Sequence, residues 1–328
     1  MIALFPRLTT RVTLFFILLT LFCVPALAAA EQSLASISYE LGMSRPSSHL
    51  FEVGLKVELG GEGGAETLDF QMPRWSPGRY SVFDFAKNVQ EFKATSCAPG
   101  ARCDAGQRLP VTRVDDSTWR VETRGQHRLD ISYKVFGDDL SGTFSQLNER
   151  HANLNGGSVF MYIVGHKQDP VTLKINAPGG WRIINAATVR ADQREWQFPN
   201  YDILIDTPTE IGPDWTMDEF KVDGKTYRVV VHSQGDEGGK RQALVRDIER
   251  LVRAETMMWG APEFDSYTFL LHFAADGRSG DGMEHLTSTQ IIEPGVLAET
   301  VTYNDMVDTV SHEFFHVWNV KRLRPAEL

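Results

Sequence analysis

From Ile37 to Phe220 the chain never holds an apolar pattern longer than a strand. Runs such as HLFEVGLKVEL, STWRVETR, LDISYKVFG, VTLKINAP and WRIINAATV alternate apolar with polar residues or concentrate β-branched ones. Gly, Pro, Asn and Asp interrupt them at strand-length intervals. Alternation at period two sends successive side chains to opposite faces, so each run can bury one face only as a strand, and the pattern predicts an antiparallel β-rich region. One segment stands apart: in MPRWSPGRYSVFDFAKNVQEF, Trp75, Tyr80, Phe83 and Phe85 crowd around two prolines. A loop packed down by its aromatics is the expectation there, in preference to a ligand box.

Beyond Phe220 the periodicity changes. FKVDGKTYRVVVHSQG reads as a hairpin through Asp223-Gly224. Lys240 to Trp259 then place Leu244, Ile248, Leu251 and Val252 on one helical face. YTFLLHFAA is a buried-strand candidate, and the glycine-rich turn DGRSGDG leads into MEHLTSTQII, a further strand. YNDMVDTVSHEFFHVWNV has helical spacing through Met306, Val310, Phe314 and Val317, with Asn304 as the expected cap. The chain is therefore expected to be α+β, with a β-rich domain over residues 31–221 and a mixed domain over 222–328. Its 328 residues, 42% hydrophobic and 23% charged, suffice for more than one core.

Residues 1–30 read as a cleaved secretory signal. Arg7 and Arg11 precede the apolar run VTLFFILLTLFCV, and ALAAA follows Pro25. About 13 apolar residues are too few for the ~20 that span a bilayer, so no stable membrane insertion is expected after cleavage. Export places the mature chain in the periplasm or outside the cell. That oxidising setting predicts a short local disulfide between Cys97 and Cys103. Cleavage removes two positive charges and no negative ones, taking the formal charge from −10 to −12, which argues against nucleic acid as a partner.

His312 and His316 lie four apart, which on a helix is about 40° beyond one full turn. Both imidazoles then project from nearly one side and can reach a single ion, for which Zn2+ is the natural choice. Glu313, beside the first histidine, is placed to take a proton from a water acidified by the metal as that water attacks a peptide carbonyl, and then to protonate the departing amine.

The longer string HEFFHVWNVKRLRP resembles the signature of the glycyl aminopeptidase family, zinc metallopeptidases of the gluzincin, thermolysin-like type. PRWSPGRYSVFDFAKNV is similar to that family's β-rich N-terminal domain, and GDGMEHLTST to the segment preceding its zinc helix. The resemblance makes His312 and His316 metal ligands and Glu313 the general base. It likens Gly282-Met283-Glu284 to a cleft strand whose acid pairs with a substrate's free amino terminus, so Glu284 and Gly282 are expected to bind substrate. It implies the start of a thermolysin-like zinc peptidase domain and peptides with small amino-terminal residues, Gly or Ala, as substrates. It also implies a third ligand, a Glu on a helix after this one. The sequence contains no such helix, and Glu327 stands too close to His316 to serve. On that reading these residues form the front portion of a longer enzyme, with weak zinc binding and little turnover as they stand. Lys321, Arg322 and Arg324 are expected only to complement a helix C-terminus.

Two other readings differ from this aminopeptidase at identifiable points. A non-catalytic β-domain binding module would carry the zinc helix as a vestige. An endopeptidase of the same clan would keep the zinc chemistry and differ at Glu284. The sequence does not set the oligomeric state.

Overall fold

The computed structural model describes residues 34–60, 66–96, 106–277 and 279–323. The signal segment, Cys97, Cys103, Arg324 and Glu327 lie outside the described residues. A seven-stranded sheet runs in the order Glu195–Phe198, Val171–Asn176, Leu34–Gly42, Leu50–Leu59, Arg128–Phe136, Val89–Ser96, Gln107–Arg108. Its pairs are antiparallel except for Leu34–Gly42 against Val171–Asn176, which is parallel. Alternation sets the buried face as the sequence predicts: Phe51, Val53, Leu55, Val57 and Leu59 point inward from one strand, and Leu129, Ile131, Tyr133 and Val135 from its neighbour.

Two four-stranded sheets complete this part. One is ordered Tyr162–Ile163, Thr67–Gln71, Thr118–Glu122, Val111–Arg113, the other Arg182–Asn185, Thr209–Gly212, Ala152–Leu154, Gln146–Leu147. A single hydrophobic cluster links side chains from Ile37 to Ile211, each large member stabilising the fold by roughly 1.5–3 kcal/mol. The short helix α1 (Tyr201–Ile205) is capped by Asn200, whose side chain accepts from the Ile203 N–H.

The hairpin through Asp223-Gly224 forms between Thr216–Val222 and Lys225–Gln234. Asp223 (φ 50°) and Gly224 (φ 79°) are both left-handed, as a two-residue turn of the primed type requires. A five-stranded sheet follows in the order Thr216–Val222, Lys225–Gln234, Ser266–Ala274, Ser288–Pro294, Asp281–Glu284. Its central strand Ser266–Ala274 is parallel to both neighbours and buried at every position but the first. That burial accounts for its nearly unbroken apolar run.

Helices α2 (Arg241–Trp259) and α3 (Thr300–Phe315) pack with this sheet around a second cluster that contains Tyr227, Ile248, Phe269, Met306, Val310 and Phe314. The buried face of α2 carries Leu244, Val245, Ile248 and Val252, with Leu251 half-buried. Two elements differ from expectation. α3 starts at Thr300, so Asn304 lies inside it, exposed. Glu299, extended at φ −76° and ψ 139°, takes the cap position, and its carboxylate accepts from the Thr302 hydroxyl at 3.3 Å. MEHLTSTQII is not one strand: Asp281–Glu284 and Ser288–Pro294 pair antiparallel. The turn between them is closed by the His285 N–H on the Ser288 carbonyl and held by Asp206, which accepts from His285 Nδ1 and the Leu286 N–H. Among the described residues no helix is long and apolar enough to cross a membrane.

Candidate metal and catalytic site

His312, in the last turn of α3, and His316, the residue that caps its C-terminus, lie side by side, with ring centroids 5.0 Å apart and planes at 86°. His312 is exposed and His316 half-buried. The Asn319 carbonyl lies 3.0 Å from His316 Nδ1. A carbonyl can only accept, so Nδ1 carries the proton and Nε2 keeps its lone pair, the tautomer a metal ligand needs.

Glu313 turns inward, 6% exposed, against the strand Asp281–Glu284. Its Oε1 occupies the space a Cβ on Gly282 would fill, so a side chain at 282 would displace this carboxylate. Its Oε2 is buried and has no hydrogen-bond partner among the described residues. Loss of solvent, then the charges of Glu284 and Asp281, push the Glu313 carboxyl up to about 7 against the opposing pull of Arg79. Glu284 is buried and accepts from the Tyr80 hydroxyl at 3.0 Å.

Donor atoms of Glu284, Glu313 and His316 all lie within 4.8 Å of one another. His312 is not one of this converging group, although its ring adjoins His316. An imidazole with a free Nε2, an unpartnered buried carboxylate oxygen and a second imidazole beside them are donors that suit a divalent ion of zinc's class.

The segment around Trp75 reaches this site. Phe83 and Phe85 stack on each other and meet Phe144 edge to face, as expected of a loop packed down by aromatics. Trp75 and Tyr80, however, are 51% and 78% exposed. The loop seats so closely on Met283 that a Cβ at Gly78, where φ is +83°, would overlap its sulfur. Arg79 pairs with Asp281, which also accepts from the Gly142 N–H at 2.8 Å. Desolvation, the hydrogen bond to Glu284 and the charges of Glu284 and Glu313 push the Tyr80 hydroxyl up to about 12. Arg79 and Tyr80 escape a reading by spacing because 204 residues separate Tyr80 from Glu284.

Lys321 and Arg322 find specific partners: Lys321 Nζ lies 3.8 Å from Asp206 Oδ1, and Arg322 pairs with Glu263. Burial opposes a charge on Asp206, yet the His285 hydrogen bond and charge, with Lys321, hold its carboxyl below the usual carboxylate range.

A β-rich front is thus followed by a strand and a helix that bring acids and an imidazole together. The chain belongs to the M61 peptidase family: the model for the Peptidase M61 N-terminal domain matches residues 38–213, and that for M61 glycyl aminopeptidase matches residues 305–328. Among solved structures, an aminopeptidase N family protein from Idiomarina loihiensis aligns at a TM-score of 0.77 and 27% identity, over 88% of this chain and 49% of its own. The chain thus spans about half the length of that relative. An M1 zinc metallopeptidase from Deinococcus radiodurans aligns at a TM-score of 0.45 and 12% identity, over 87% of this chain and 64% of its own. A search of curated proteins found no match.

Proposed function

We propose that this protein is an exported zinc-dependent aminopeptidase acting on peptides with a small amino-terminal residue, Gly or Ala. The observation that carries the reading is the meeting of Glu284, Glu313 and His316 within 4.8 Å, at a strand where Gly282 leaves room for the Glu313 carboxylate. In this reading His312 and His316 hold the ion. What zinc supplies when bound is Lewis acidity toward a carbonyl oxygen and a water.

Glu313, through its unpartnered Oε2, takes a proton from the attacking water and returns it to the leaving amine. Glu284 receives the free ammonium of the substrate as a charge-assisted hydrogen bond, beside Gly282, and the Tyr80 hydroxyl holds that carboxylate in place. A carboxylate set there selects a free amino terminus and so favours exopeptidase action. A division near residue 222 follows the two large hydrophobic clusters, over Ile37–Ile211 and Val222–Trp318, which a smaller cluster of Ile184, Trp215, Val230 and Leu270 bridges.

The test is hydrolysis of glycyl and alanyl anilides beside the same compounds acetylated at nitrogen, with zinc content measured in parallel. Glu313→Gln is expected to keep its zinc and to lose at least about 100-fold in rate, the scale of a general base. Acetylated substrates are expected to stay intact. Cleavage of the acetylated compounds at equal rate would make the protein an endopeptidase. Rates unchanged in Glu313→Gln would remove the enzymatic reading altogether.

A further inference from the structure

Away from α3, three histidines and a glutamate meet in the interior: His151, Glu210, His232 and His272, with side chains 0%, 1%, 2% and 3% exposed. Each offers one donor atom, and the four atoms lie within 4.8 Å of one another. They come from separate elements. His151 precedes the strand Ala152–Leu154, and Glu210 lies on the adjoining Thr209–Gly212. His232 and His272 are register partners on the parallel strands Lys225–Gln234 and Ser266–Ala274.

The outer hydrogen bonds set the tautomers. His151 Nε2 donates to Gln146 Oε1 at 3.0 Å, an oxygen that also accepts from Asn148 Nδ2. His232 Nε2 faces the Asp214 carboxylate at 3.2 Å. Asn153 flanks the third ring, its Nδ2 3.3 Å from His272 Nε2. The neutral rings of His151 and His232 therefore carry their lone pairs on Nδ1, and His272 turns its Nε2 toward the same carboxylate.

Those three nitrogens are the ones that crowd the Glu210 carboxylate, at 3.2, 3.1 and 2.9 Å. Lone pairs facing a carboxylate repel it, so the arrangement calls for positive charge there, from a bound ion or from a protonated ring. Hydrogen bonding answers it only in part: His151 Nδ1 is within hydrogen-bond reach of Glu210 Oε1 at 3.2 Å, whereas His232 Nδ1 and Glu210 Oε2 are both buried with no hydrogen-bond partner among the described residues. An ion with bonds of about 2.0–2.1 Å to tetrahedral ligands sets its donors about 3.3 Å apart, close to the three nitrogen-to-carboxylate distances.

We propose that His151, Glu210, His232 and His272 form a second, structural metal site that takes a divalent transition-metal ion of zinc's class. The three imidazoles bind through Nδ1, Nδ1 and Nε2, and Glu210 is the anionic fourth ligand. Gln146 and Asp214 fix two of the rings from behind, as acceptors behind ligating histidines do. All four ligands are buried, which leaves no open position for a substrate and marks the site as structural. The ion ties the four-stranded sheet that carries Glu210 to the five-stranded sheet that carries His232 and His272.

The test uses the full chain with both histidines of α3 removed, His312→Ala/His316→Ala, so that the proposed catalytic ion is out of play. After loading with Zn2+ and dialysis, this variant is expected to retain about one equivalent of zinc. Co2+ in its place is expected to give the visible absorption of a four-coordinate site, and a chelator to lower the melting temperature. Adding Asp214→Asn, at an exposed position, is expected to weaken zinc binding about 10–100-fold, the range for a group behind a ligand. Adding Glu210→Gln is expected to abolish retention. Loss of all zinc from the double variant, with melting unaffected by zinc or chelator, overturns the site. So does zinc retained at unchanged affinity in both added variants. Hydrolysis does not enter this readout, so failure of the aminopeptidase reading and failure of this one are separable.

Discussion

Glu313 shows how one small neighbour sets the chemistry of a side chain. Gly282 matters through what it lacks: any Cβ there would overlap the Glu313 carboxylate. Gly282→Ala should therefore displace that group and cost about 1–3 kcal/mol, the usual penalty for overfilling a packed site. Urea unfolding would read the stability loss and anilide hydrolysis the accompanying loss of rate. Unchanged stability and rate would mean that Glu313 reaches its place another way. The histidine pair was legible from its four-residue spacing because helix geometry is local. Tyr80 and Arg79 were not, because nothing local marks a phenol that hydrogen-bonds 204 positions away.

Between α2 and α3 the contact is partly polar: Ser311 donates to Glu255 Oε1 at 2.9 Å, and Tyr303 to Asp247 Oδ2 at 2.6 Å. Burial raises the Glu255 carboxyl from 4.5 to about 7, with the Ser311 hydrogen bond opposing. The folded chain then holds this proton more tightly than the unfolded chain does. The stability linked to it is complete below about pH 4 and is lost as pH rises through 7. Glu255→Gln keeps an acceptor for Ser311 and removes the charge. Its melting temperature relative to the parent should accordingly rise between pH 5 and pH 8, and an offset independent of pH would contradict the assignment. Elements whose signals are local were read well from the sequence, such as the Asp223-Gly224 hairpin and the alternating strand Leu50–Leu59. The start of α3 and the split of MEHLTSTQII were not, since Asp206 closes that turn from far along the chain.

The two large hydrophobic clusters are joined by a small third one, Ile184, Trp215, Val230 and Leu270, and by polar ties: Arg79 to Asp281, Tyr80 to Glu284, Asp206 to His285, and the buried histidines around Glu210. Phe314 sits at the middle of the second cluster, within 6.0 Å of the rings of Tyr227, Tyr267, Phe269 and Trp318. Phe314→Ala should cost about 3–5 kcal/mol. Because of the ties, the loss should appear in one transition reported alike by the tryptophan fluorescence of both clusters and by far-ultraviolet circular dichroism. Two separated transitions would show the clusters to be independent. Period-two alternation, a two-residue turn and a four-residue histidine spacing act over a few residues, so the β-rich front, the hairpin and the α3 imidazole pair followed from the order of amino acids. The Tyr80–Glu284 contact, the seat of Glu313 on Gly282 and the gathering of His151, Glu210, His232 and His272 did not. Each brings together groups from distant strands, and only packing of the sheets sets the distance between them.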